Sequence, residues 1–129
     1  MKKLSVQRQP IAHEVVFPSN VERNLNTCVK FVTQSYLYFK ELSANDFAQV
    51  LNKSHSFVYR EFTVSTCSNI TINEQMLQAF CDHFNIDIKQ VYHIANQLLQ
   101  SHYNVLIVNE DLSIAKFLYG YKVSFVRAA

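Results

Sequence analysis

The side chains best suited to metal or covalent chemistry in this chain are its cysteines and the histidines near them in sequence. Cys67, Cys81, His83 and His93 are soft metal ligands by type. Cys81 and His83 are two residues apart, which places them on different sides of a helix, and the sequence has no CxxC or HxxxH pair. We therefore expect no bound metal.

The same residue types would serve an enzyme that uses cysteine as the nucleophile and histidine as the base. Nothing in their spacing fixes such a pair, and a chain with one glycine has no glycine-rich phosphate loop. We expect no enzymatic activity and no cofactor.

Composition and length predict a single folded domain. The chain has 129 residues, of which 49% are hydrophobic and 17% charged. One glycine and two prolines provide few tight turns, so helices should dominate. Three irregularly spaced cysteines favour a reducing compartment, and no apolar run is long enough to act as a leader or to span a bilayer. We expect a soluble cytoplasmic protein with no membrane partner.

Capping residues and apolar spacing predict five helices. Ser19 with Glu22 indicates a capping box for a long first helix, whose apolar residues recur at helical spacing: Val21, Leu25, Cys28, Val32, Tyr36 and Phe39. Ser43 with Asp46 opens a second helix, and its apolar residues Phe47, Val50 and Leu51 line one side. After Asn52 and Lys53, Ser54 caps a third helix with Phe57, Val58 and Phe62 on its apolar side.

Two more helices follow a polar loop. Thr71 with Glu74 is the predicted cap of the fourth helix, and Asn85 suits the left-handed residue that ends it. Asp87 with Gln90 begins a fifth helix that continues to about His102.

Different patterns occur at the two ends. Residues 1–18 form a predicted arm with a short strand at His13–Phe17, and residues 103–129 form a predicted tail of antiparallel β-structure. In the tail, an apolar run at Val105–Val108 and a turn at residues 109–111 precede a second apolar segment from Leu112 to Tyr119. An alternating run follows Gly120.

The second and third helices, joined by a turn of a few residues, fit a helix-turn-helix. The stretch "LSANDFAQVLNKSHSFVYRE" resembles the lambda-repressor-like, or Cro/XRE-type, helix-turn-helix family. The resemblance rests on Leu42, Ser43, Phe47, Ala48 and Leu51, then Ser54, Ser56, Val58 and Arg60, and continues through the next two helices. It implies a mainly α fold with a five-helix bundle over residues 19–102, to which the pattern of the tail adds a small C-terminal antiparallel β-element.

The resemblance also implies a function. The helix at residues 54–62 would lie in the major groove of double-stranded DNA, and the protein would be a homodimeric transcription regulator of bacterial or phage type. Arg60 can pair with guanine, and Lys53 and Ser43 are placed for phosphate. The implied DNA-binding residues are Ser43, Lys53, Ser54, His55, Ser56, Tyr59 and Arg60.

A second interpretation stays open. Ala44 occupies a position where many members of the family have a glutamine that contacts phosphate, Glu61 carries a negative charge, and the net charge is only +2. These features favour a protein-interaction module that keeps the bundle and does not bind DNA. The tail is likewise open to two uses, pairing with a second copy or covering its own bundle.

Overall fold

The structure is a computed structural model that describes residues 15–64, 71–113 and 115–119. The order of elements in this part of the chain is α1 (Leu25–Phe39), α2 (Ala44–Leu51), α3 (His55–Phe62), α4 (Glu74–Phe84), α5 (Ile88–Leu99), β1 (Val105–Val108) and β2 (Ala115–Leu118). The two strands pair antiparallel. The prediction of a mainly helical protein with a small antiparallel sheet is confirmed.

Helix α1 lies at the centre of the bundle, because ten of its fifteen residues are buried. Its start differs from the prediction. The capping box is formed by Asn24 and Thr27, whose side chains each accept the other's backbone N–H at 2.9 Å. Ser19 instead lies in a turn and is exposed, so the predicted cap at Ser19 is wrong. Two predicted apolar positions at the ends of α1, Leu25 and Phe39, are 40% and 42% exposed.

The non-helical segment before α1 is held by contacts with distant parts of the chain. The Arg23 guanidinium donates to the Leu98 carbonyl at 3.0 Å and lies 4.4 Å from the centre of the Phe17 ring. Phe17 is buried, and its backbone N–H donates to the Asn104 carbonyl at 2.7 Å. The structure assigns no strand to residues 15–17, so the predicted strand is wrong in its described part.

Helix α4 also begins later than predicted. Its cap is Asn73, whose side chain accepts the backbone N–H groups of Gln75 and Met76. The side chains of Asn26 and Glu61 accept the N–H groups of Ile72 and Asn73, both at 2.7 Å. These tertiary bonds keep residues 72 and 73 out of the helix, and the predicted cap at Thr71 is wrong.

The remaining helix ends largely follow the predictions. Asn52 and Asn85 are left-handed, with φ of 56° and 58°, and they end α2 and α4. Asp87 caps α5 by accepting the Lys89 N–H at 2.9 Å. The Gln90 side chain does not complete a capping box and instead donates to the Leu112 carbonyl. Helix α5 ends at Leu99 rather than near His102.

The hairpin covers the bundle. In its register Val105 pairs with Leu118 and Val108 with Ala115. The Tyr36 hydroxyl donates to the Glu110 carbonyl at 2.5 Å, and the Lys40 ammonium lies 2.6 Å from the Glu110 carboxylate. The strand pair and its turn agree with the predicted tail, and the predicted alternating run after Gly120 lies outside the described residues.

Two buried cysteines have little thiolate character. Cys28 and Cys81 are fully buried, and burial raises the pKa of each thiol to about 11. At pH 8 such a thiol is about 100-fold less ionised than one at 9.0, the ordinary value. In a Cys67→Ser variant we therefore expect Ellman's reagent to modify the folded protein at least about 100-fold more slowly than the unfolded chain. Rapid modification of two thiols in the folded state would contradict this burial.

Among the described helices, none combines the length and the apolar character needed to cross a bilayer.

Candidate nucleic-acid interface

Helices α2 and α3 form a unit in which local residues fix the start of α2, the turn and the start of α3. Ser43 and Asp46 make the predicted capping box at the start of α2, with both bonds at 3.0 Å. At its end, left-handed Asn52 turns the chain, and the Lys53 N–H donates to the Ala48 carbonyl at 3.0 Å. Ser54 then caps α3 by accepting the Phe57 N–H at 3.3 Å. Three residues therefore separate the two helices, as a helix-turn-helix requires.

An aromatic cluster packs the inner sides of these helices against α4. The Phe47 ring, on α2, is fully buried, and its centre lies 5.4 Å from Phe62, 5.5 Å from Phe80 and 5.5 Å from Phe84. Val58 and Phe62 of α3 are also fully buried. Large buried rings with edge-to-face and stacked contacts fix the rotation of α3 about its axis.

The outer side of α3 carries most of the residues that the family resemblance implies. All six residues at the start and on the outer side of this helix are exposed: Lys53, Ser54, His55, Ser56, Tyr59 and Arg60. The His55 and Tyr59 rings lie one turn apart, with centres separated by 6.1 Å. The structure therefore places these six side chains on one surface, here called the α3 face.

The single carboxylate of α3 is turned away from this face. Glu61 is 5% exposed, and its carboxylate accepts the Asn73 N–H at 2.7 Å. The α3 face consequently carries two permanent cations, Lys53 and Arg60, without a carboxylate from its own helix.

Ser43, the seventh implied DNA-binding residue, has different surroundings from the six residues of the α3 face. Its hydroxyl accepts the Asp46 N–H, and the Asp46 carboxylate accepts the Ser43 N–H. Hydrogen bonds from the Ser43 backbone and hydroxyl lower the pKa of Asp46, so this carboxylate is ionised at neutral pH. A negative charge at the start of α2 opposes a phosphate there. The geometry thus favours the α3 face over Ser43 as a phosphate-binding position.

A buried lysine that the sequence reasoning missed holds the end of α3. Lys30, on α1, is 0% exposed, and its ammonium donates to the Arg60 carbonyl at 2.7 Å. That carbonyl belongs to the last turn of α3, where carbonyls have no partner within the helix. Burial lowers the pKa of Lys30, while attraction to the nearby Glu61 opposes this shift. The signal in the sequence is a lysine inside the apolar run "CVKFV".

Helix α1 also fixes the segment that leaves α3. The Gln34 side chain accepts the Val64 N–H at 2.9 Å, and the Asn26 side chain accepts the Ile72 N–H at 2.7 Å. With Lys30, three polar side chains of one helix hold α3 and the start of α4. The α3 face is therefore attached to a rigid support, which a surface that reads base edges needs.

Charge is distributed unevenly between the described part and the two ends of the chain. The described residues include seven of the twelve Lys and Arg residues and nine of the ten Asp and Glu residues, a formal charge of −2. The whole chain carries +2. The positive α3 face is thus a local feature of a part that is acidic as a whole.

Within residues 15–64, 71–113 and 115–119, no group of three His, Cys, Asp or Glu side chains is arranged to hold a metal ion. Comparisons of the chain with protein-family models, curated proteins and solved structures found no match.

Proposed function

We propose that the protein is a sequence-specific regulator of transcription that binds double-stranded DNA through a lambda-repressor-like helix-turn-helix. The observation that carries this proposal is the α3 face. It presents six exposed polar or cationic side chains on a helix whose own carboxylate is turned inward.

In the proposed complex, α3 lies in the major groove with its N-terminal residues against base edges. Arg60 donates two hydrogen bonds to a guanine, and His55, Ser56 and Tyr59 contact neighbouring bases or phosphates. Lys53 and Ser54, at the start of α3, contact the phosphate backbone. Lys30 does not touch DNA in this complex and serves to hold the end of α3.

The resemblance further suggests a homodimer that reads two half-sites, as two-fold regulators do. We assign the dimer contact to the tail from residue 103 onward, whose first hairpin packs on the bundle. Binding at an operator would change the access of RNA polymerase to a promoter. Such a protein acts in the cytoplasm of a bacterium, with DNA of the host, a phage or a mobile element as its target.

We expect an Arg60→Ala variant to lose about 1–3 kcal/mol of binding to a specific site, which is about fivefold to 150-fold in affinity. Lys53→Ala should weaken binding to all sequences alike and lower the salt dependence by about one phosphate contact. Fluorescence anisotropy with labelled DNA at several salt concentrations measures both effects.

The control for both variants is Lys116→Ala, which removes an exposed cation of β2, away from the α3 face. It should leave affinity and salt dependence unchanged apart from a small long-range term. If Lys116→Ala weakens binding as much as Arg60→Ala does, net charge rather than the α3 face governs binding. If the wild type binds no DNA pool in a salt-dependent way, the proposed function fails.

Two observations favour a second function, a protein-interaction module that does not bind DNA. The described part carries a formal charge of −2, and an ionised Asp46 lies beside Ser43, where a phosphate clamp would be expected. The same anisotropy titration separates the two functions, because this alternative predicts no salt-dependent binding to DNA.

A further inference from the structure

Two connected grooves lie at the corner between α1 and α2. The larger has a volume of about 650 Å³, and the smaller, of about 250 Å³, also reaches α3. Both are lined by Tyr38 and Leu42, so they form one continuous surface, here called the corner groove. Tyr59 belongs to both the corner groove and the α3 face, and the other five residues of the α3 face do not line the groove.

The larger part of the corner groove combines exposed aromatic rings with carboxylates. Tyr38 and Phe39 are 40% and 42% exposed, although they belong to the most buried helix. Glu41 follows them with a φ of 60°, a left-handed conformation in which the chain turns sharply. Glu41 and Asp46 are both exposed and line this part of the groove. Aromatic rings beside two carboxylates suit a peptide that alternates cations with apolar residues.

The N-terminal part of the chain has this composition. Residues 1–14, "MKKLSVQRQPIAHE", contain three Lys or Arg residues and one acid, with Leu4, Val6 and Ile11 between them. The positive charge of this segment complements the acidic side of the groove. The described part of the chain, at −2, has no comparable surplus of cations to offer.

The position at which the described chain begins supports the same match. Val15 is the first described residue, and it lines the smaller part of the corner groove. An extended segment of fourteen residues spans up to about 45–50 Å, which is more than enough to cross both parts of the groove. The segment therefore starts at the groove and has the length to fill it.

We propose that residues 1–14 bind in the corner groove of their own chain, with Leu4, Val6 and Ile11 on Tyr38 and Phe39 and with the cations near Glu41 and Asp46. This contact does not rest on the proposed function, because the groove residues that it uses, Tyr38, Phe39, Glu41 and Asp46, do not belong to the α3 face. It would keep the basic residues of the arm on the acidic side of the bundle.

The full-length chain offers a direct test, because it contains no tryptophan. An Ile11→Trp variant places one fluorescent reporter in the arm, four residues before Val15. We expect its emission to be shifted to the blue relative to free tryptophan and its quenching by acrylamide to be slow. Adding Glu41→Lys replaces an attraction by a repulsion and should weaken docking about threefold to tenfold, which raises the quenching constant.

Asp82→Lys, in the same Ile11→Trp background, is the matched control. It makes the same change of charge at an exposed position of α4 and should leave the quenching constant unchanged. An exposed indole reporter that is insensitive to Glu41→Lys would overturn the proposal. So would a protected reporter that responds equally to both substitutions, since the contact would then lie elsewhere. Protection that depends on protein concentration in parallel with dimer formation would assign the arm to a second copy and contradict docking within one chain.

Discussion

Replacing Lys30 by alanine should lower the free energy of unfolding by about 3–5 kcal/mol, the loss typical when one partner of a buried charge arrangement is removed. The ammonium is fully buried and donates to the Arg60 carbonyl at 2.7 Å. Its removal leaves that carbonyl without this donor and removes a cation that attracts the buried Glu61. Since typical domains are stable by about 5–15 kcal/mol, this is a large fraction of the total.

Chemical denaturation of Lys30→Ala, Lys30→Met and the exposed control Lys116→Ala measures this effect. Lys30→Met removes the charge but keeps most of the side-chain volume. The difference in stability between the two Lys30 variants therefore measures the cost of the cavity, separately from the loss of the charge. The control should change stability by no more than about 0.5 kcal/mol. A loss below about 1 kcal/mol in Lys30→Ala would contradict a structural role for this lysine.

The dependence on pH gives a second readout for Lys30. Burial lowers its pKa from 10.5, so the folded state favours the neutral amine more than the unfolded state does. Between the lowered pKa and 10.5 the unfolded chain binds more protons, and stability therefore rises with pH. We expect the wild type to gain stability relative to Lys30→Met as pH increases through this window.

Phe47→Ala should destabilise the protein by a similar amount, about 3–5 kcal/mol, because it opens a cavity where α2, α3 and α4 meet. The ring is fully buried and lies within 5.5 Å, centre to centre, of three other phenylalanines, Phe62, Phe80 and Phe84. Each such aromatic pair adds about 0.5–1.5 kcal/mol beyond the burial of apolar area. Because Phe62 belongs to α3, the variant should also loosen the α3 face.

Val50 was predicted on the same apolar side as Phe47, but it is 49% exposed in the structure. Val50→Ala is therefore the control for Phe47→Ala on the same helix. It should change stability by less than about 0.5 kcal/mol. Thermal or denaturant unfolding of both variants measures the contrast. Equal effects at the two positions would show that α2 does not pack as described.

Helix ends set by local chemistry were predictable from the sequence. The Ser43–Asp46 box, the caps at Ser54 and Asp87, and the left-handed Asn52 and Asn85 all agree with the structure. Each depends on a side chain within three residues of the backbone group that it binds, or on the ease with which asparagine adopts a positive φ. Such features need no knowledge of the tertiary fold.

Helix starts that depend on distant residues were predicted wrongly. Ser19 and Thr71 are plausible caps by type and spacing, as are Asn24 and Asn73. Long-range hydrogen bonds determine which residue is the cap. Before α1, Arg23 donates to the Leu98 carbonyl. Before α4, the Asn26 and Glu61 side chains accept the N–H groups of Ile72 and Asn73. Local sequence patterns contain no information about these partners.

Periodicity was least informative for α1. A helix buried on nearly all sides has no single apolar stripe, so Lys30, Thr33 and Ser35 are buried while Phe39 is exposed. The outward residues of α3 were placed correctly because that helix has one buried side and one exposed side. The corner groove was not foreseen, because it depends on how α1 and α2 meet.

The central claim, sequence-specific binding of DNA by the α3 face, is tested most directly by selection of bound sequences from a random double-stranded DNA library with the purified wild type. We predict enrichment of one motif, repeated as two half-sites if the protein is a dimer, and loss of that motif's preference at one guanine in Arg60→Ala. The claim would be contradicted if the selected pools had the same sequence composition as the starting library. It would also be contradicted if Arg60→Ala selected the same motif as the wild type.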